Sequence, residues 1–246
     1  MKKFYKKSEI WFAVMWIIIY VVVMGNLRNN FGDESLYSML GVLIIAVILT
    51  VFIVKNRLTE KYGLVRCSDS KKYLYFIPFV LLGTVNLWFG VAMHYDLHHQ
   101  ISAVITMAIV GYVEEIIFRG LLFKAIEKDN VKQAIIISAV TFGAGHIVNL
   151  LTGHGSVDTI LQMAYAIAIG FAFAMCFYKS GSLIPCIITH SIVNLTSKFS
   201  NHNISEQAES YWNYGATVFI ILVAGAYALY LRKVNISKSE KIDRQV

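Results

Sequence analysis

The sequence predicts an all-α, polytopic membrane protein of about eight transmembrane helices, with a polar active site buried in the helix bundle. Three observations carry this. Hydrophobic residues make up 57% of the 246-residue chain and charged residues only 15%, whereas soluble domains average about 25% charged. The apolar residues fall in runs approaching the roughly 20 needed to cross a hydrocarbon core. The basic residues concentrate in alternate loops.

The first run, Ile10–Gly25, follows Lys2, Lys3, Lys6 and Lys7, as the core of a secretory leader would. No convincing small-residue cleavage site follows it, so it is read as a retained span. Leu36–Val54 and Tyr73–Met93 come next, separated by the longest loop, a mixed-charge stretch over about 55–72 that contains Gly63 and Cys67. Ile101–Phe123, Ala134–Leu151, Thr159–Tyr178, Leu183–Phe199 and Tyr214–Leu231 complete the set. Pro185 falls in the first turn of its run, where a missing N–H costs little.

With the N-terminus inside and every run spanning, the cytoplasmic side receives Lys2, Lys3, Lys6, Lys7, Lys55, Arg57, Lys61, Arg66, Lys71 and Lys72. It also receives Lys124, Lys128, Lys132, Lys179, Arg232, Lys233, Lys238, Lys241 and Arg244. Only Arg28 and Lys198 fall outside, and Arg119 lies within a span. The pattern predicts a multi-pass cell-membrane protein with both termini cytoplasmic. The net charge of +7 then reads as orientation and contact with the lipid bilayer, not as a nucleic-acid surface. Short outer loops leave no room for an extramembrane catalytic domain. Residues 1–246 are therefore read as a single transmembrane domain. Cys67, Cys176 and Cys186 make no CxxC pair and no even framework, which argues against a disulfide scaffold or zinc finger.

The chemistry-bearing residues lie in 101–200. The run Ile101–Phe123 holds Glu114, Glu115 and Arg119, each costing about 2.5–3.5 kcal/mol at a membrane helix centre. They must face protein or a water-filled cavity. Glu115 and Arg119 are four apart on one helical face and are expected to pair. Glu114 points about 100° away from Glu115, which leaves it free for chemistry, with Gly111 one turn earlier making room beside it. The next run carries a stripe of Ser138, Phe142, Gly145, His146 and Asn149, and Gly143 and Gly145 are expected to let a neighbouring helix approach His146. The run from Leu183 places His190 and Asn194 on one face, flanked along it by Cys186 and Ser197. His94, His98, His99, His154 and His202 lie at or beyond span ends, where solvation explains them. Singly, such residues serve as interhelical glue. Together, a free carboxylate, two imidazoles and an amide match a general base and oxyanion stabilisers.

These motifs, Glu114-Glu115-Ile-Ile-Phe-Arg119, Phe142-Gly-Ala-Gly-His146 and His190-Ser-Ile-Val-Asn194, resemble the EExxxR, FxxxH and HxxxN pattern of the CAAX-protease and bacteriocin-processing (Abi) family. Its members are intramembrane peptidases related to the type II CAAX prenyl endopeptidase. The resemblance covers about 101–200; the first three runs and the last match only as generic hydrophobic helices. It implies that Glu114 and His146 hold and activate a water, that His190 and Asn194 stabilise the oxyanion, and that Glu115 and Arg119 brace the site, with Phe142 in support. It also implies access from the cytoplasmic side or the membrane. The partner would be a peptide or membrane-protein substrate from bacteriocin or pheromone maturation or self-immunity. A two-component or bacteriocin system would supply the wider context.

Metal-free glutamate catalysis with no cofactor is the favoured expectation. Zinc on Glu114, His146 and His190 is the metalloprotease alternative, although HExxH is absent. The rival reading is a non-catalytic membrane partner that confers immunity or regulates a sensor. A transporter using the buried charges is disfavoured, because no matched pair of broken segments occurs in two halves.

Overall fold

A computed structural model describes residues 1–152, 155–201 and 205–235. His154, His202, Lys238, Lys241 and Arg244 lie outside the described residues. A short α1 (Lys2–Lys7) leads into α2 (Glu9–Phe31), and α3 (Leu36–Lys55) returns. Then come α4 (Ile77–Thr84), α5 (Leu97–Glu115), α6 (Lys124–Glu127), α7 (Val131–Gly145), α8 (Ser156–Ser180), α9 (Ile184–Ser197) and α10 (Glu206–Lys233). Among the described residues there is no strand, only an isolated bridge between Val91 and Ser200.

Local chemistry sets half of the helix starts. Ser8, Ser35, Asp96, Asn130 and Ser205 each accept a backbone N–H from the first turn of the helix that follows. Such caps satisfy donors that would otherwise be orphaned near the membrane surface. Gly181, at φ +67°, ends α8 in the left-handed region that only glycine adopts freely.

Among the described residues six helices are long and apolar enough to cross a membrane, against about eight expected: Glu9–Phe31, Leu36–Lys55, Leu97–Glu127, Val131–Leu150, Ser156–Ser180 and Gln207–Lys233. The chain is a multi-pass membrane protein. Exposed Ile18, Val22, Ile44, Val47, Leu222 and Leu229 give these helices an apolar outer surface, as lipid contact requires.

The other two expected spans take different forms. The third run breaks into a 3₁₀ turn (Ser70–Phe76), α4, and a second short turn (Val85–Leu87). Leu74, Tyr75 and Phe76 all have positive φ, at roughly 1–2 kcal/mol each for a side chain with a Cβ. Tyrosine hydrogen bonds hold the break: Tyr227 Oη donates to the Tyr73 carbonyl at 2.7 Å, and Tyr73 Oη donates to the Lys179 carbonyl at 2.9 Å. The seventh run forms α9, whose 14 residues rise only about 21 Å, short of a ~30 Å core.

The bundle has two chemically distinct ends. At one, Lys61 and Lys128 pair with Glu9 and Lys179 bonds the carbonyl of Val234. At the other, Arg28 and Lys198 share Asp33, and His94 bonds the Ser200 carbonyl. Between them a continuous apolar core surrounds the motif segment.

Candidate active site

After Glu115 the helix widens: Ile116–Phe123 winds as a π-helix before α6 resumes. Every residue in that stretch is buried. Wide turns of this kind occur preferentially at functional sites. This one directly follows the two glutamates, and the hydrophobic pattern carries no sign of it.

The glutamates separate as their angular spacing requires. Glu115 and Arg119 are both 0% exposed, and Arg119 Nη1 donates to Glu115 Oε1 at 2.8 Å. The same carboxylate oxygen accepts from His190 Nδ1 at 2.9 Å. Glu114, 12% exposed, turns instead into a cavity of about 700 Å³. Its Oε2 lies 3.4 Å from His190 Nε2, and its Oε1 accepts from Tyr20 Oη at 2.5 Å. With Nδ1 carrying the proton that Glu115 accepts, the second nitrogen of His190 faces Glu114.

Phe142 is the packing centre. The Arg119 guanidinium lies 4.2 Å from its ring centroid, a desolvated cation–π contact. The rings of His146 and His190 each stand edge-on to it at 5.4 Å. One aromatic side chain thus fixes the arginine and aligns both imidazoles. Ser138 ties the same helix to the π turn by donating to the Phe118 carbonyl at 3.0 Å.

α7 ends at Gly145, so His146 occupies its C-cap and begins a 3₁₀ stretch, with Nδ1 3.2 Å from the Phe142 carbonyl. His146, His190, Asn194 and Ser197 all line the cavity with Glu114. Cys186 does not: it is buried, with Sγ 3.5 Å from the Phe173 carbonyl. Asn149, also on the cavity wall, donates to Gln162 at 2.6 Å.

Two glycine expectations need correction. A Cβ on Gly111 would meet the backbone N of Ser191 at 2.6 Å, so the space it frees lets α9 close on α5 and does not serve the Glu114 carboxylate. Gly143 does admit α8, since its Cβ would meet Ile167 N and Met163 O at 2.9 Å, but nothing lies within 4 Å of a Cβ on Gly145. The helix geometry ends there, and the close approach ends with it.

Sequence reasoning missed the contribution of α2. Tyr20, Met24 and Arg28, at four-residue spacing, also line the cavity. Arg28 had been assigned to an outer loop, but α2 continues to Phe31. Only the polar ends of Tyr20 and Arg28 in an apolar run could have signalled this. The cavity reaches Arg28, Asp33 and Lys198, at the end remote from the lysine cluster.

Among the described residues no three His, Cys, Asp or Glu side chains group closely enough to form a ready-made ligand set, while Nε2 of His190, the nitrogen not bonded to Glu115, is directed into the cavity beside Glu114.

Neither a curated protein nor a solved structure matches this chain. A family model does match, over residues 97–196, that of the Rce1-like, type II CAAX prenyl endopeptidase domain. That match supports an intramembrane protease of CAAX type in general. Residues 97–196 contain every motif residue, from Glu114 to Asn194, and this Rce1-like segment is consistent with the CAAX-protease and bacteriocin-processing family.

Proposed function

We propose that the protein is an intramembrane endopeptidase in which Glu114 is the general base. A water beside Glu114 and His146 attacks the scissile carbonyl carbon, and Glu114 takes its proton. Negative charge develops on the carbonyl oxygen, where the Asn194 amide and the Nε2–H of a doubly protonated His190, whose Nδ1–H stays on Glu115, stabilise it. Collapse of the tetrahedral intermediate breaks the C–N bond, and Glu114 returns the proton to the leaving amine. Glu115 and Arg119 hold His190 in place and take no direct part. No metal enters the reaction. The substrate is a small peptide or membrane-associated protein, in the setting of bacteriocin or pheromone maturation or self-immunity.

The observation that carries this reading is the unequal treatment of adjacent carboxylates. Glu115 is neutralised by Arg119 at 2.8 Å, while Glu114 faces a cavity also lined by both histidines and Asn194. A structural ion pair needs one glutamate; the second is expensive unless it is used.

The lysine-bearing end is assigned to the cytoplasm by its charge. The polar reach of the cavity at Arg28, Asp33 and Lys198 then faces outward, whereas the family resemblance implies cytoplasmic or membrane access. Cleavage of peptides encoded by neighbouring genes, by wild type beside Glu114→Gln, tests the activity. Equal in vivo phenotypes for the two would instead favour a non-catalytic immunity or sensor-regulating partner.

A further inference from the structure

We infer that Tyr20, on α2 and outside the family-matched segment, is a positioning residue that sets the orientation of the Glu114 carboxylate. This deepens the peptidase reading and rests on it.

Tyr20 is 6% exposed and its hydroxyl donates to Glu114 Oε1 at 2.5 Å. A buried phenol needs a partner, and here the partner is the carboxylate that Arg119 leaves free. The torsion that rotates a glutamate carboxylate about its last bond is broad and weakly restrained. Anchoring Oε1 removes that freedom and leaves Oε2 directed towards His190 Nε2, 3.4 Å away. That separation is long for a direct hydrogen bond. The two oxygens therefore differ in role: one is held by Tyr20, and the other is the one that takes a proton.

The placement is built by packing. α2 lies against both the π turn that follows the glutamates and the 3₁₀ stretch that begins at His146. Trp16 and Met24, one turn either side of Tyr20, are buried, so that face of α2 is fixed in the bundle. The site is thus completed by a helix that shares no motif with it.

The experiment compares steady-state peptide cleavage by purified wild type, Tyr20→Phe and Trp16→Phe, with thermal unfolding of each in the same detergent. Tyr20→Phe keeps the ring and removes only the hydroxyl. Loss of alignment at a reacting group costs up to about 100-fold. The expected result is a kcat about 10- to 100-fold below wild type with KM within twofold, and a modest fall in unfolding temperature from the lost charge-assisted hydrogen bond. Trp16→Phe should keep the wild-type kcat, although its smaller ring leaves a gap in the packed face and lowers the unfolding temperature. A Tyr20→Phe kcat within twofold of wild type would overturn the assignment. So would a kcat loss shared equally by Trp16→Phe, since that marks a packing role. The two failures separate cleanly: wild type inactive on every peptide counts against the peptidase reading, whereas active wild type with equally active Tyr20→Phe counts against Tyr20 alone.

Discussion

Replacing Arg119 by methionine isolates the bracing role of the buried ion pair. Methionine keeps much of the volume and adapts to irregular space, so the change removes a charge with little cavity. It leaves Glu115, at 0% exposure, without its cation in a low-dielectric interior. Breaking one side of a buried pair costs about 3–5 kcal/mol. Loss of the guanidinium stacked at 4.2 Å on buried Phe142 adds about 2 kcal/mol. At about 2–4 °C per kcal/mol for a chain of this size, the unfolding temperature falls by on the order of 10–30 °C. The assay is thermal unfolding of purified protein in detergent, with Glu115→Gln/Arg119→Met alongside. Removing both charges recovers most of the loss, to within about 2 kcal/mol of wild type, because no uncompensated charge remains. A single variant that loses less than about 1 kcal/mol, or a double variant no better than the single, would refute the argument.

Three further outcomes are expected. Asn194→Ala lowers kcat by about 100- to 1,000-fold, the usual cost of losing one oxyanion donor, with unfolding temperature unchanged; steady-state kinetics decide it. Gly111→Ala places a Cβ 2.6 Å from the Ser191 backbone nitrogen and destabilises by about 1–3 kcal/mol, measured by the same unfolding assay. In a Cys67→Ser background, with Cys176 and Cys186 buried, His98→Cys reacts with a membrane-impermeant maleimide added to intact cells. Lys128→Cys reacts only after permeabilisation, and the reverse pattern would invert the proposed orientation.

What the sequence made legible was local. Four-residue spacing sufficed to pair Glu115 with Arg119 and to put His190 and Asn194 on one face, because a helix fixes those angles without any tertiary knowledge. The cost of polar groups in lipid then implied that these faces converge. Features requiring long-range or cooperative information stayed hidden. The π-helical stretch Ile116–Phe123 has no residue-level mark, since its hydrophobic residues suit an α-helix equally. Tyr20 lies 94 positions from Glu114, and a tyrosine in an apolar run resembles an ordinary membrane-interface residue. In the sequence Gly111 reads as room for the Glu114 carboxylate, because the spacing of one helix cannot show that α9 closes on it. The break at Leu74–Phe76 was invisible because nothing in Tyr-Leu-Tyr-Phe favours left-handed backbone, and the Tyr227 hydroxyl that holds the adjoining Tyr73 carbonyl comes from distant α10.

The account stands most directly on one comparison: cleavage of candidate peptides by purified, detergent-solubilised wild type and Glu114→Gln, each with and without a strong chelator. The account predicts cleavage by wild type only, at a rate the chelator leaves unchanged. Cleavage by Glu114→Gln at the wild-type rate would contradict the role of Glu114, and loss of wild-type cleavage on chelation would contradict metal-free catalysis.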